Sequence, residues 1–403
     1  MENLRNKKIL LVICGGIAAY KALEIIRILK KNNCHIKTIL TKGAQEFITP
    51  LSVSSLSNEK VYTDLFDFKN ESEMDHISLS RWSDIIIFAP VTANKIAQLS
   101  HGLAEDLATT VALASDKQIF LAPAMNVRMW ENAITKNNLK NLINSNYKLI
   151  GPDIGEMACG EYGAGKFSDP IEITNEINNY FKNLEQNRKF KALVTAGPTR
   201  EYIDPVRFIS NQSSGKQGYA IAEEFQKSGF DTTLISGPTN LKLPEGIKIC
   251  NVYSAEEMYE KTIENLPVDV AVFTAAVSDF RAKEIKTQKI KKNQFEKLEI
   301  EQTKDILGFT SKHNKLRPKL VIGFAAETND LEENSKKKLN EKKCDWILAN
   351  DVSNKKVGFN SEYNEVKIFQ KNKKQFERIS FNTKKMIAKK LVEKISNELK
   401  ANG

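Results

Sequence analysis

The densest chemistry in the chain lies in residues 195–218, TAGPTREYIDPVRFISNQSSGKQG. A short apolar run (Ala192, Leu193, Val194) enters a turn with Gly197, Pro198, Asp204 and Pro205. It then passes Asn211, Gln212, Ser213 and Ser214 to a helix opening at Gly215. Open α/β sheets bind polyanions at such loops, because free backbone N–H groups at a strand's carboxyl end face the ligand. Upstream, Cys14-Gly15-Gly16-Ile17 separates a strand from a helix and offers similar N–H groups, although roughly one in three such turns is only a tight packing turn. It is not G-x-G-x-x-G, which favours a mononucleotide over a dinucleotide. Pro90-Val91-Thr92-Ala93-Asn94 and Pro123-Ala124-Met125-Asn126 each follow a strand on the same edge as Gly15. His76, within Met74–Ser78, stands in a polar setting and reads equally as a surface or capping histidine. Cys159 stands before Gly160, Gly163 and Gly165, and a thiol on a flexible loop can close over a site and give up a proton. Cys34 and Cys250 read as inert packing.

The elements that must carry these residues follow from apolar patterning. Strands are expected at Lys8–Ile13, Ile36–Leu40, Ile85–Ala89, Ile119–Ala122 and Lys148–Ile150, with helices between them. Helix 17–32 has Ala22, Ile25, Ile26 and Leu29 on one face. The second half repeats the plan, with strands at Ala192–Thr195, Thr232–Ile235, Lys248–Val252, Val268–Thr274, Leu320–Phe324 and Trp346–Ala349. Its helices fall near Lys216–Lys227, Ala255–Glu264 and Leu331–Lys343. Glu365–Phe369 reads as an edge strand and Thr383–Leu399 as a closing amphipathic helix. Short apolar strands alternating with helices define an α/β protein with two doubly wound, mainly parallel sheets. Residues 281–319 break the pattern with 12 Lys+Arg in 39 positions, which suggests a mobile basic loop or hairpin over the second site.

With 403 residues the chain accommodates two domains, expected at 1–189 and 190–403. Residues 1–190 carry 22 Lys+Arg against 21 Asp+Glu, and residues 191–403 carry 38 against 29. The basic half suits small polyphosphate substrates drawn in by a positive field, or simply solvated lysines. Its lysines are not interleaved with aromatics as a nucleic-acid groove requires. No apolar run approaches the ~18 residues of a membrane span. The N-terminus lacks a signal-peptide pattern, so a cytoplasmic protein is expected. Five cysteines without a CxxC pair, and four scattered histidines, argue against a disulfide framework and a structural zinc site.

Four segments of the first half, GGIAAYK (Gly15–Lys21), MDHISLSRW (Met74–Trp82), APAMN (Ala122–Asn126) and ACGEYGAGK (Ala158–Lys166), occur in the order found in flavin-dependent phosphopantothenoylcysteine decarboxylases. The chain resembles that family there. The resemblance implies a flavodoxin-like domain with FMN near Gly15, Gly16, Ile17, Thr41, Thr92, Asn94 and Ala124. It also implies His76 as base, Asn126 on the substrate and Cys159 as proton donor. A cysteine carboxylate has no adjacent electron sink, so its direct decarboxylation would leave an unstabilised carbanion. Oxidation of the thiol-bearing carbon to a thioaldehyde opens a path for those electrons, and reduction of the resulting ene-thiol completes the reaction. Cys14 replaces a usual hydroxyl residue and Lys166 a usual Arg.

The 195–218 segment, with Ala275–Arg281, Lys289–Lys292 and Gly323–Thr328, resembles phosphopantothenate–cysteine ligase, a Rossmann-like CTP enzyme. A carboxylate is a poor electrophile, and such an enzyme activates it as an acyl-cytidylate before cysteine attacks. The resemblance implies nucleotide contacts at Phe273, Thr274, Ala275, Asp279, Lys289, Asp305, Ile306, Phe324, Lys338 and Lys342. It places Asn211 at the acyl intermediate, Lys289 at the transferring phosphate and Mg2+ at Asp279. From spacing alone, Lys338 and Lys342 form a solvated helix face and Asp279 a cap. Lys304 stands where a Pro is common. The two resemblances together cover almost the whole chain and match a bacterial coenzyme A biosynthesis fusion. They imply phosphopantothenate, cysteine and CTP as substrates, decarboxylase trimers and ligase dimers, with no nucleic acid or membrane partner. The alternatives are a flavin-binding regulatory subunit and a decarboxylase with an inactive ligase half.

Overall fold

A computed structural model describes residues 1–65, 75–291, 297–327, 329–351, 361–373 and 375–401. The chain divides into two compact units, Met1–Lys182 and Asn183–Gly403. Met74 and Thr328, together with Lys292 of the Lys289–Lys292 segment, lie outside the described residues.

In the first unit, β1 (Lys8–Ile13), β2 (His35–Leu40), β3 (Val61–Tyr62), β4 (Ile85–Val91), β5 (Gln118–Pro123) and β6 (Lys148–Leu149) form a parallel sheet. Its order is β3-β2-β1-β4-β5-β6. Between the strands run α1 (Tyr20–Lys31), α2 (Lys42–Gln45), α3 (Pro50–Ser57), α4 (Asp75–Trp82), α5 (Ala93–Ser100), α6 (Leu107–Leu113), α7 (Val127–Glu131) and α8 (Ala133–Asn144). A hairpin of β7 (Asp153–Glu156) and β8 (Tyr162–Lys166) precedes α9 (Pro170–Asn187). The central strand β4 is buried at every position, which is why it reads as a continuous apolar run instead of alternating.

The second unit holds an eight-stranded sheet. β9 (Lys191–Ala196) is followed by the small pair β10 (Glu201–Tyr202) and β11 (Phe208–Ile209), then β12 (Asp231–Ser236), β13 (Lys248–Asn251) and β14 (Val270–Phe273). A second pair, β15 (Phe280–Ala282) and β16 (Ile300–Gln302), precedes β17 (Leu320–Glu327), β18 (Trp346–Asp351), β19 (Tyr363–Gln370) and β20 (Glu377–Thr383). The large sheet runs β13-β12-β9-β14-β17-β18-β19-β20, with the β18–β19 and β19–β20 pairings antiparallel. Alternate residues feed two cores. Val194, Val272, Ile322 and Leu348 face α10 (Lys216–Lys227) and α14 (Lys384–Ala401). Leu193, Ala271, Val321 and Ile347 face α11 (Ala255–Glu264), α12 (Ile306–Lys312) and α13 (Leu331–Lys342). This is a helix–sheet–helix sandwich.

One expectation changes and another narrows. Glu365–Phe369 does not form the edge: β19 pairs on both sides, and β20 takes the outer place. Of the two readings of residues 281–319, the hairpin is the one found: the start of the segment pairs antiparallel with its middle as β15 and β16. Seven further residues form α12, capped by the Asp305 carboxylate, which accepts from the Gly308 N–H at 2.9 Å.

Candidate active sites

In the first unit the chain leaves β1 outward through β2 and β3, then returns to β4 on the other side of β1. The loops after β1 and β4 therefore part in opposite directions, and a crevice opens at the strands' carboxyl ends. Gly15 and Gly16 stand there. A Cβ at Gly15 would lie 2.8 Å from the Gly43 carbonyl, and Gly16 has φ 129°. The loop is consequently bare backbone, which suits a phosphate held by N–H groups. Ile17 beside it is 59% exposed. Thr41 is buried, its hydroxyl donating to Ile13 O at 3.2 Å. Thr92 caps α5 by accepting from Lys95 N at 3.3 Å, which puts Asn94 in that helix's first turn. Ala124 N donates to Val91 O, joining the β4 and β5 loops.

Asn126 caps α7: its Oδ1 accepts from Met129 N at 2.8 Å, so the amide NH2 is the group left to meet a ligand. The β7–β8 hairpin is seated on this loop. Met125 N donates to Gly165 O at 3.1 Å, and Val127 N donates to the Glu161 carboxylate at 3.3 Å. Gly165 has φ 132°, and a Cβ there would strike Met125 O. Cys159 stands exposed at the hairpin turn, where Gly160 takes φ 82°. His76 is half-buried in the first turn of α4. Because α4 leads into β4, that first turn lies at the same edge as the glycines. The expected first-site residues thus gather on one sheet edge, with Cys159 on the hairpin above it.

Cys14 behaves differently from a phosphate contact. It is buried in the apolar core, and burial pushes its thiol up to about 12. Beside it lies a buried Lys95 that sequence reasoning missed, 2.5 Å from Asp106. Burial raises the Asp106 carboxyl's pKa, but Lys95 and the Thr109 cap more than offset this and hold it below the usual carboxylate value. Lys166 is exposed at the end of β8.

The second unit repeats the topology, with the switch between β9 and β14. A cavity of about 720 Å³ occupies that position. Asn211 lines it, as do Phe273, Thr274, Ala275 and Asp279 from the β14 loop. Asp305, Ile306, Phe324, Lys338 and Lys342 complete the expected set, with one exception. Lys289 is exposed and does not line the cavity. Gly218 lies so close to Ala196 that a Cβ would stand 2.6 Å from the alanine's own, so α10 starts hard against β9. The Asn211 amide donates to Val277 O at 2.9 Å, holding the two loops together. Lys342 is paired with Asp305 at 2.8 Å, which gives the helix-face reading of this lysine a specific partner. Lys304 also lines the cavity, bound to Glu256 and lying 4.5 Å from the centre of the Tyr259 ring.

Asp204 governs the segment that carries Lys289. Its carboxylate accepts from Val206 N, Arg207 N and Ile290 N, and pairs with the Arg207 guanidinium at 2.6 Å. Arg207 also donates to Ile290 O, and Lys286 N to Ile203 O. Burial raises the Asp204 carboxyl's pKa, but Arg207 and these N–H groups outweigh it and hold the group far below the usual carboxylate range. The sequence shows Asp204 only as a turn residue; its partner at Ile290 is 86 positions away. Among the described residues no cluster of three or more His, Cys, Asp or Glu could hold a metal alone. Asp279 could still supply one ligand to a magnesium ion whose remaining ligands are phosphate oxygens and water.

Residues 1–182 match the family model described as Flavoprotein, and residues 187–399 match that of the DNA/pantothenate metabolism flavoprotein C-terminal domain. This defines a two-part flavoprotein. The chain is 42% identical to the coenzyme A biosynthesis bifunctional protein CoaBC of Haemophilus influenzae, over 97% of this chain and 98% of that one. It is 40% identical to the protein so named from Escherichia coli K12, over 91% of each. A crystal structure of the C-terminal domain of a CoaBC protein is 39% identical, covers 53% of this chain and 99% of its own, and gives a TM-score of 0.43. The chain belongs to the family of bifunctional coenzyme A biosynthesis enzymes, which combine decarboxylase and ligase activities.

Proposed function

We propose that the second unit couples cysteine to phosphopantothenate through an acyl-cytidylate made from CTP, and that the first decarboxylates the product to phosphopantetheine with FMN. The observation that carries this reading is the cavity at the β9/β14 switch, lined by every anticipated nucleotide contact except Lys289. Bound FMN supplies a two-electron acceptor and donor. Around it, the Gly15-Gly16 N–H groups hold the phosphate, His76 takes a proton, the Asn126 amide orients the substrate carboxylate, and Cys159 delivers the final proton from the hairpin. In the ligase, Asn211 holds the acyl group, Lys289 reaches the transferring phosphate from its tethered segment, and Asp279 carries Mg2+. Decarboxylase trimers, ligase dimers and a cytoplasmic location accompany this reading.

The test is a visible spectrum of the purified protein followed by a CTP-dependent assay. Flavin absorption, pyrophosphate release requiring phosphopantothenate, and carbon dioxide release are expected together. A yellow protein without turnover would instead favour a regulatory flavoprotein, and carbon dioxide without pyrophosphate a ligase half that is inactive. Cys159→Ser should release carbon dioxide yet stall at the ene-thiol, and Lys289→Gln should block acyl-cytidylate formation alone.

A further inference from the structure

The nucleotide cavity crosses the carboxyl edge of the sheet. At one end Asp305, Ile306 and Leu307 come from the α12 side. At the other lie the first residues of α10 and α14, two helices packed on each other over the opposite face. That end presents Lys216 and Lys384, each the first residue of its helix, together with the amides of Asn350 and Asn364. Lys384 is only 7% exposed although it lines the cavity. A buried lysine is costly, and proteins keep one where an anion or a functional group meets it.

The framework around it is built. Lys384 N donates to Glu362 O at 2.8 Å, while the Glu362 carboxylate pairs with Lys216. Gln217 Nε2 donates to Lys384 O at 3.3 Å, and Asn364 donates to Gln217 Oε1 at 3.2 Å. Glu362 thus joins the two helix starts, through its carbonyl to Lys384 N and its carboxylate to Lys216. The first-turn N–H groups of two helices, each longer than eight residues, add positive potential to the same end.

Resting on the reading of this cavity as a nucleoside triphosphate site, we propose that Lys384, with Lys216, seats the terminal phosphates and so receives the pyrophosphate leaving group. In the transfer, a carboxylate oxygen of the substrate bonds to the α-phosphorus. The bond from that phosphorus to the α–β bridging oxygen breaks, and its electron pair leaves with pyrophosphate. No proton moves. Stabilising the departing charge is what these ammonium groups do. Sequence reading passes over both: Lys384 opens a lysine-rich amphipathic helix and looks solvated.

The experiment compares CTP, CMP and inorganic pyrophosphate binding to the full-length protein by calorimetry, for wild type, Lys384→Met and Lys216→Met. Wild type should bind CTP, with pyrophosphate competing. Lys384→Met should weaken CTP and pyrophosphate roughly tenfold to a hundredfold, the range for a charge-assisted hydrogen bond, while CMP affinity stays within about twofold. Lys216→Met, at a more exposed position, should show the same selectivity more weakly. Equal weakening of CTP and CMP in both variants would mean a structural role, and unchanged CTP affinity in both would remove the assignment. A wild type that binds none of the three would overturn the nucleotide reading itself.

Discussion

At the scale of single residues, the second site depends on side chains whose roles are set by distant partners. Asp204 joins the 203–207 turn to Ile290 and thereby fixes the backbone beside Lys289. Asp204→Asn should leave decarboxylation unchanged and lower pyrophosphate release about a hundredfold, the scale of a misplaced catalytic group; near-normal ligation would show that Lys289 needs no such tether. Since the Asp204 pKa is depressed, its contribution is present above the unfolded value and is lost only as pH falls through the folded one. Ligation should therefore show no loss from this source at mildly acid pH. Lys384 works in the opposite sense. Burial, and Lys216 opposite, lower it to about 8, while Glu362 raises it. Above that pH the free protein lacks this proton, so CTP binding near pH 9 should take one up, seen as a dependence of calorimetric heat on buffer ionisation. Lys384→Met should abolish that dependence. The 195–218 loop was legible as a polyanion site because it follows a strand, whereas the roles of Asn211 and of Phe273–Asp279 came only from the family resemblance. Lys384, Lys95 and Asp204 were not legible, because nothing local distinguishes a buried charge from a solvated one.

At the scale of elements, the buried parallel strands were read nearly to the residue, since β1, β4 and β9 are short, mainly apolar runs. β20 was missed because its sequence, Glu377–Thr383, alternates weakly and buries only Ile379. The β7–β8 hairpin was seen only as a glycine-rich loop. Its order comes from contacts with α7 and the Met125–Val127 backbone, which local sequence does not show. Gly165 is the sharpest test of that seating. Gly165→Ala combines a positive φ with a clash against Met125 O, a strain of roughly 1–3 kcal/mol. The variant should keep its flavin absorption but convert phosphopantothenoylcysteine to finished product more slowly. Loss of flavin in equal measure would show that the hairpin supports the cofactor instead of the proton delivery.

At the scale of the molecule, two units each have their own core and switch-point crevice. Ligands should therefore stabilise them separately: in calorimetric melts, FMN should raise one transition and CTP the other, by about 2.7 kcal/mol at a hundredfold excess over Kd. A single transition moved equally by both would refute independent units. Burial is also uneven among the five cysteines. Cys14, Cys34 and Cys344 are enclosed, Cys250 is half-buried, and Cys159 is exposed. A maleimide dye given briefly to the native protein would thus mark chiefly the hairpin turn. Because that thiol is the proposed proton donor, the labelled protein would not complete turnover, and its fluorescence would report instead how the turn moves when substrate binds, without any engineered handle.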